Sequence, residues 1–185
     1  MNKGPGRLTH TDPEGRARMV DVSDKEESQR RAVARGAIRM EPETLEAIRQ
    51  ERTPKGDILQ VARIAGIQAG KRTGELIPLC HLLPAVTIHV ELEADPDLPG
   101  IRVRTEARTG SRTGVEMEAL TAAAVALLTV YDMAKALDRG MVLEEVRLVE
   151  KEGGRSGHWT EASTAEGSSG TERAPTGKDS PAGEG

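Results

Sequence analysis

Between residues 86 and 93 apolar and polar side chains alternate, with Val86, Ile88, Val90 and Leu92 on one side and Thr87, His89, Glu91 and Glu93 on the other. A two-residue period belongs to a strand with one face on a core and the other in solvent. Asp95-Pro96-Asp97-Leu98-Pro99-Gly100 interrupts the pattern with turn residues. A second alternation follows, Ile101, Val103 and Thr105 against Arg102, Arg104 and Glu106, and predicts the return strand of an antiparallel hairpin. Residues 142–149 predict another strand, ended by Gly153-Gly154. Helical spacing appears elsewhere. Pro42 in the first turn of PETLEAIRQE predicts a short helix. Asp57 and Gln60 have the spacing of a capping box, after which Ile58, Val61, Ala62, Ala65 and Ala69 share one helical face. Residues 115–137, rich in Ala with Leu and Val, predict the longest helix, suited to close packing on the sheet or on a subunit mate. Residues 30–40, RRAVARGAIRM, fit a strand or a helix begun by Ser23 and Glu26 equally well. The sum is an α+β fold, with helices on one face of a mainly antiparallel sheet.

Composition narrows the picture. One Trp, one Tyr and no Phe in 185 residues leave the core to Leu, Ile, Val, Met and Ala. The stacking platforms of a single-stranded nucleic-acid binder are missing, and a net charge of −4 leaves no global positive field. No nucleic-acid partner is expected. Residues 154–185 contain no Leu, Ile, Val, Met or Phe, and such a stretch cannot offset its ordering entropy. The organisation expected is a flexible leader (1–7), one globular body (8–153) and a disordered low-complexity tail (154–185) whose single large apolar residue, Trp159, docks weakly. Cys80 is the one cysteine, so an internal disulfide is excluded and a reducing compartment fits. The opening residues have no apolar signal region, and the most apolar stretch, 119–131, falls short of the ~20 residues of a membrane span. The expectation is a soluble, cytoplasmic protein with no membrane partner.

Several residues could carry chemistry. Lys55 sits in a glycine-containing turn before a helix start, where backbone amides favour anions; alone, it reads as a solvated lysine at a capped turn. Lys71 and Arg72 close that helix, where basic residues ordinarily serve the helix dipole. Leu76-Ile77-Pro78-Leu79-Cys80-His81-Leu82-Leu83-Pro84 puts a proton-exchanging His beside a thiol in an apolar loop. Two ligands make no zinc site, and His10 and His89 do not complete one, so no metal and no cofactor are expected. At 100° per residue Met117, Glu118, Thr121, Val125, Leu128, Asp132 and Lys135 form one stripe of the long helix. Glu118 and Asp132 are 14 residues apart, roughly 21 Å along a helix. They serve different pockets, or each pocket takes one end from each of two subunits. The plain alternative is a core helix with an exposed ion pair. Arg108, Arg112, Lys151 and Arg155 add basic residues near segment ends, where each is ordinarily solvated.

Taken together, MVDVS (19–23), KGD (55–57), ARIAGIQA (62–69), KRT (71–73), LIPLCH (76–81), TGVEMEALTAA (113–123) and YDMAKA (131–136) resemble, in order and spacing, the cyclic pyranopterin monophosphate synthases of the MoaC type. The resemblance runs from about residue 8 to residue 157. It departs at Leu82, where that family commonly has Pro. The resemblance implies a ferredoxin-like subunit in a homohexamer, a trimer of dimers with sites at subunit interfaces. It implies a lyase of molybdenum cofactor biosynthesis that takes 3′,8-cyclic dihydro-GTP from a preceding radical enzyme and makes cyclic pyranopterin monophosphate, releasing pyrophosphate. Substrate contacts then fall on Leu79, Cys80, His81, Met117 and Glu118, the acid/base on Asp132, and functional lysines on Lys55 and Lys135. Asp21, Arg30, Lys71, Arg72 and Lys151 join the substrate-binding set, with Lys55, Lys71, Arg72 and Lys151 drawn toward the triphosphate and His81 orienting or protonating the substrate. The alternatives are a ferredoxin-like nucleotide sensor without turnover, and a structural oligomer, which leaves the KGD and LCH loops without a purpose.

Overall fold

A computed structural model of the chain describes residues 14–53, 55–154 and 157–161. The leader, most of the tail, His10, Pro54 and Arg155 lie outside the described residues. In chain order the elements are β1 (Ser28–Arg39), α1 (Pro42–Arg49), α2 (Ile58–Lys71), α3 (Thr73–Leu76), β2 (Thr87–Asp95), β3 (Gly100–Ser111), α4 (Glu116–Ala134), β4 (Val142–Glu152) and β5 (Trp159–Thr160). The strands form one sheet in the order β2-β3-β1-β4-β5, every neighbouring pair antiparallel.

Residues 30–40, open to two readings in the sequence, lie within β1 and its exit. Ala32, Ala34 and Ile38 enter the helix-side core, while Arg31 and Arg39 pair with carboxylates of β3 and β4. The helix alternative fails at its first residue. Ser23 donates from its backbone N and Oγ to Asp21 Oδ1 at 2.9 and 2.6 Å, closing a local turn. The β2–β3 hairpin runs further than the alternation suggests, to Asp95 on one side and Ser111 on the other. Trp159 and Thr160, assigned to the tail on composition, pair with Lys151 and Glu150 at the sheet edge.

α2 and α4 cover one face of the sheet. Asp57 caps α2, its Oδ1 accepting from the Gln60 N–H at 2.9 Å; the Gln60 side chain accepts from Arg63 instead of closing the box. The buried face of α2 is Ile58, Ala62, Gly66, Ala69 and Gly70, while Val61 turns out to solvent. Gly66 and Gly70 let the two helices approach: a Cβ would meet the Ala122 carbonyl oxygen at 2.9 Å or that of Glu118 at 3.1 Å. α2 and α4 therefore run antiparallel, each start beside the other's end. α4 is long and apolar enough to cross a membrane by length and composition, but that apolarity meets the sheet. Ala119, Ala122, Ala123, Ala126, Leu127 and Val130 are fully buried, and Thr105 of β3 donates to the Ala119 carbonyl at 2.7 Å. The core is aliphatic throughout, as the composition requires.

Candidate active site

The antiparallel helix pair sorts the candidate residues to two ends. Where α2 begins and α4 ends, Lys55 Nζ donates to the backbone oxygen and to Oδ2 of Asp132, both at 3.0 Å. Lys135 Nζ donates to Oδ1 at 2.7 Å. All three side chains are about half exposed. Lys135, then Lys55, hold the Asp132 carboxyl below the usual carboxylate range. A charged, exposed triad of this kind contributes little to folding, but its groups stand where a ligand can reach them.

At the other end, the first turn of α4 meets the loop after α3. Val20, Val22, Lys25, Ile77, Leu79, Cys80, His81, Thr113, Gly114, Glu116, Met117 and Glu118 line a cavity of about 510 Å³. The five residues expected to contact substrate (Leu79, Cys80, His81, Met117 and Glu118) are all among them. His81 Nε2 donates to the Val20 carbonyl at 2.9 Å, which fixes that tautomer and leaves Nδ1 for proton exchange. Cys80 Sγ lies 3.8 Å from Glu118 Oε1. Burial, then the nearby Glu118 charge, pushes the thiol up to about 11, so it stays protonated and lines the cavity rather than attacking. Glu118 is 2% exposed, its Oε2 has no partner among the described residues, and burial pushes its carboxyl up. The stripe foreseen on α4 thus passes through different surroundings: Glu118 and Thr121 are buried, Leu128 and Asp132 exposed.

The raised Glu118 carboxyl gives a pH prediction. The folded chain binds this proton more tightly than the unfolded chain. Its stabilising contribution is full below the ordinary value of 4.5 and is lost as pH rises through the elevated folded value. Glu118→Gln has no such loss. The difference in urea midpoint, variant minus wild type, should grow as pH rises above the ordinary value of 4.5; a constant difference would mean that the carboxyl ionises freely in the fold.

A second cavity of about 700 Å³ adjoins the first and shares Lys25, Thr113, Gly114 and Glu116 with it. Arg30, Arg112 and Lys151 add basic groups to its wall. Arg30 donates to the backbone oxygens of Ser111 and Arg112 at 3.3 and 3.5 Å. Its side chain lies against Gly153 and Gly154, which have φ of +97° and +72°: a Cβ on Gly153 would fall 3.2 Å from Arg30 Cδ, and one on Gly154 1.5 Å from a guanidinium nitrogen. The glycine pair that ends β4 is therefore also the seat of Arg30.

Lys71 and Arg72 line neither cavity. They are exposed at the end of α2, Arg72 paired with Glu75 at 3.0 Å. Asp21 holds the turn with Ser23 beside the His81 cavity, and those hydrogen bonds lower its carboxyl. Lys25, Arg112 and Glu116 went unassigned in the sequence; the last lies in the TGVEMEALTAA string, which is the signal that could have marked it. The fold also gathers Glu150, Glu152 and His158, with ligand atoms within 4.8 Å of one another. Arg31 already supplies a cation there, 2.9 Å from Glu150 and 3.3 Å from Glu152.

The description "MoaC family" belongs to the family model that matches residues 19–154. Relatives named cyclic pyranopterin monophosphate synthase from Brucella ovis and Brucella melitensis are each 58% identical over 154 residues, covering 83% of this chain and 93% of theirs. One from Brucella canis is 57% identical over the same span.

Proposed function

Since this chain belongs to the MoaC family, we propose that it converts 3′,8-cyclic dihydro-GTP into cyclic pyranopterin monophosphate with release of pyrophosphate, a lyase step in molybdenum cofactor biosynthesis. The observation that carries the reading is the reach of the family match, residues 19–154, which includes every candidate residue from Asp21 to Lys151. Each of the two functional ends of α4 supplies part of what the reaction needs. The apolar cavity at Leu79, Cys80, His81, Met117 and Glu118 suits a flat heterocycle. The adjoining wall with Arg30 and Lys151 suits the triphosphate better than Lys71 and Arg72, which stand outside it. Asp132 with Lys55 and Lys135 suits proton transfer.

The ends lie roughly 21 Å apart along one helix, too far for one reacting atom. The site therefore combines the cavities of one subunit with the Lys55–Asp132–Lys135 set of another, in a homohexamer built as a trimer of dimers. The strand order β2-β3-β1-β4 with α2 and α4 on one face supports a ferredoxin-like reading of the subunit. A lysine beside a carboxylate in water stays charged, and burial against a second subunit would free Lys135 and Asp132 to exchange protons during purine opening and pterin closure. In the last step a sugar hydroxyl gives its proton to this pair and its oxygen bonds to the α-phosphorus. The bond from that phosphorus to the bridging oxygen breaks, its electron pair leaving on pyrophosphate. The single thiol suits a cytoplasmic, reducing setting, where a radical enzyme supplies the substrate.

Incubation of the purified chain with 3′,8-cyclic dihydro-GTP should yield pterin and pyrophosphate in equal amounts. Intact substrate after long incubation of a folded sample would instead leave a nucleotide sensor.

A further inference from the structure

Glu116 stands on the partition between the two cavities, lining both. Its Oε1 accepts from Lys151 Nζ at 3.1 Å, and both side chains are about 30% exposed. The carboxylate folds back over Gly114 so closely that a Cβ there would lie 1.9 Å from Oε2.

The other charges on this wall make the pairing informative. Arg31 is taken up by Glu106, Glu150 and Glu152, and Arg112 faces Glu27 at 3.8 Å. The hydrogen bonds of the Arg30 guanidinium go to neutral backbone oxygens. Among the described residues Glu116 is the one carboxylate on Lys151. Asp24, Lys25 and Glu26 also line this cavity, and removing Glu116 would take from Lys151 its one ion-pair partner among the described residues.

We propose that Glu116 is a built-in competitor for the polyphosphate: it holds Lys151 until the triphosphate displaces it, and returns to Lys151 to help drive pyrophosphate out. The inference rests on the triphosphate reading above and adds a product-release role for a positioning residue. A Lys151 free of Glu116 would hold pyrophosphate as well as it holds the substrate's phosphates and would slow turnover. A carboxylate on a rotatable side chain, anchored where the anion must sit, weakens the hold on both.

Two variants remove the competitor by different means. Glu116→Gln keeps the shape and deletes the charge. Gly114→Ala keeps the charge but puts a methyl group where the carboxylate lies, at a residue without positive φ, so the flexible side chain must swing away. Titration calorimetry of the full chain with inorganic pyrophosphate should show both variants binding about tenfold tighter than wild type. Lys151→Ala should bind more weakly. In the Glu116→Gln enzyme steady-state turnover should be inhibited by added pyrophosphate at about tenfold lower concentration than wild type, and Glu116→Asp should restore most of the wild-type sensitivity. Pyrophosphate binding by Glu116→Gln that is no tighter than wild type would overturn the proposal. Wild-type turnover, measured alongside, tests the enzymatic reading separately: its absence would sink the synthase without altering what the titration says about Glu116.

Discussion

Asp132→Ala should abolish formation of both pterin and pyrophosphate, a loss of about a thousandfold or more, while leaving the fold almost untouched. The two halves of that expectation have separate physical grounds. Asp132 is more than half exposed, and its partners Lys55 and Lys135 are exposed too. Exposed ion pairs contribute about 0–1 kcal/mol, so the thermal midpoint should move by only a few degrees. The carboxylate nevertheless holds two ammonium groups at 3.0 and 2.7 Å, and without it neither lysine has its place or its proton partner. Lys55→Ala should match the loss. Asp132→Asn keeps the shape but not the charge, and should stay inactive if proton transfer, rather than positioning, is the role. An Asp132→Ala enzyme with near-normal turnover would remove this end of α4 from the chemistry.

Leu127→Ala should do the reverse, costing about 3–5 kcal/mol of stability without touching a site residue. Leu127 is fully buried in α4, and its Cδ1 would lie 3.1 Å from a Cβ on Gly36 of β1. The expected cost is at the upper end because the opposing residue, Gly36, has no side chain to move into the space, and its other neighbour, Val146, is held on β4. A void left there stays a void. In a thermal melt the midpoint should fall by about 10 °C, and a fall of only a few degrees would mean that α4 can settle onto the sheet.

Both expectations separate what the sequence disclosed from what it withheld. The alternations over β2 and β3, the Asp57 cap and the long α4 were legible because each is local: period, cap and turn residues lie within one segment. β1 was not, because Ala and Gly carry little strand preference. Its period becomes visible only when β3 and β4 take their places beside it, and Arg31, Arg35 and Arg39 then line the opposite face. The approach of α2 to α4 was equally hidden, since a glycine inside a helix reads as a weakness until the Ala122 carbonyl is found against it. At the site, the LIPLCH and TGVEMEALTAA strings foretold which residues meet. The helix length foretold that Asp132 would not meet them within one chain. Lys25, Glu116 and the Gly153–Gly154 seat of Arg30 depend on the sheet folding β4 back against residues 111–116, a contact without a signature in any one stretch.

The position of Trp159 sets what light can report about this molecule. It is the one tryptophan in the chain, half-buried on β5, and its strand pairs with Glu150 and Lys151 at the margin of the sheet. Intrinsic emission will therefore follow the peeling of that margin, close to Lys151, and will be nearly blind to the aliphatic interior. A fluorescence transition and a circular-dichroism transition need not coincide here, and a gap between them would measure how independently the last strand lets go.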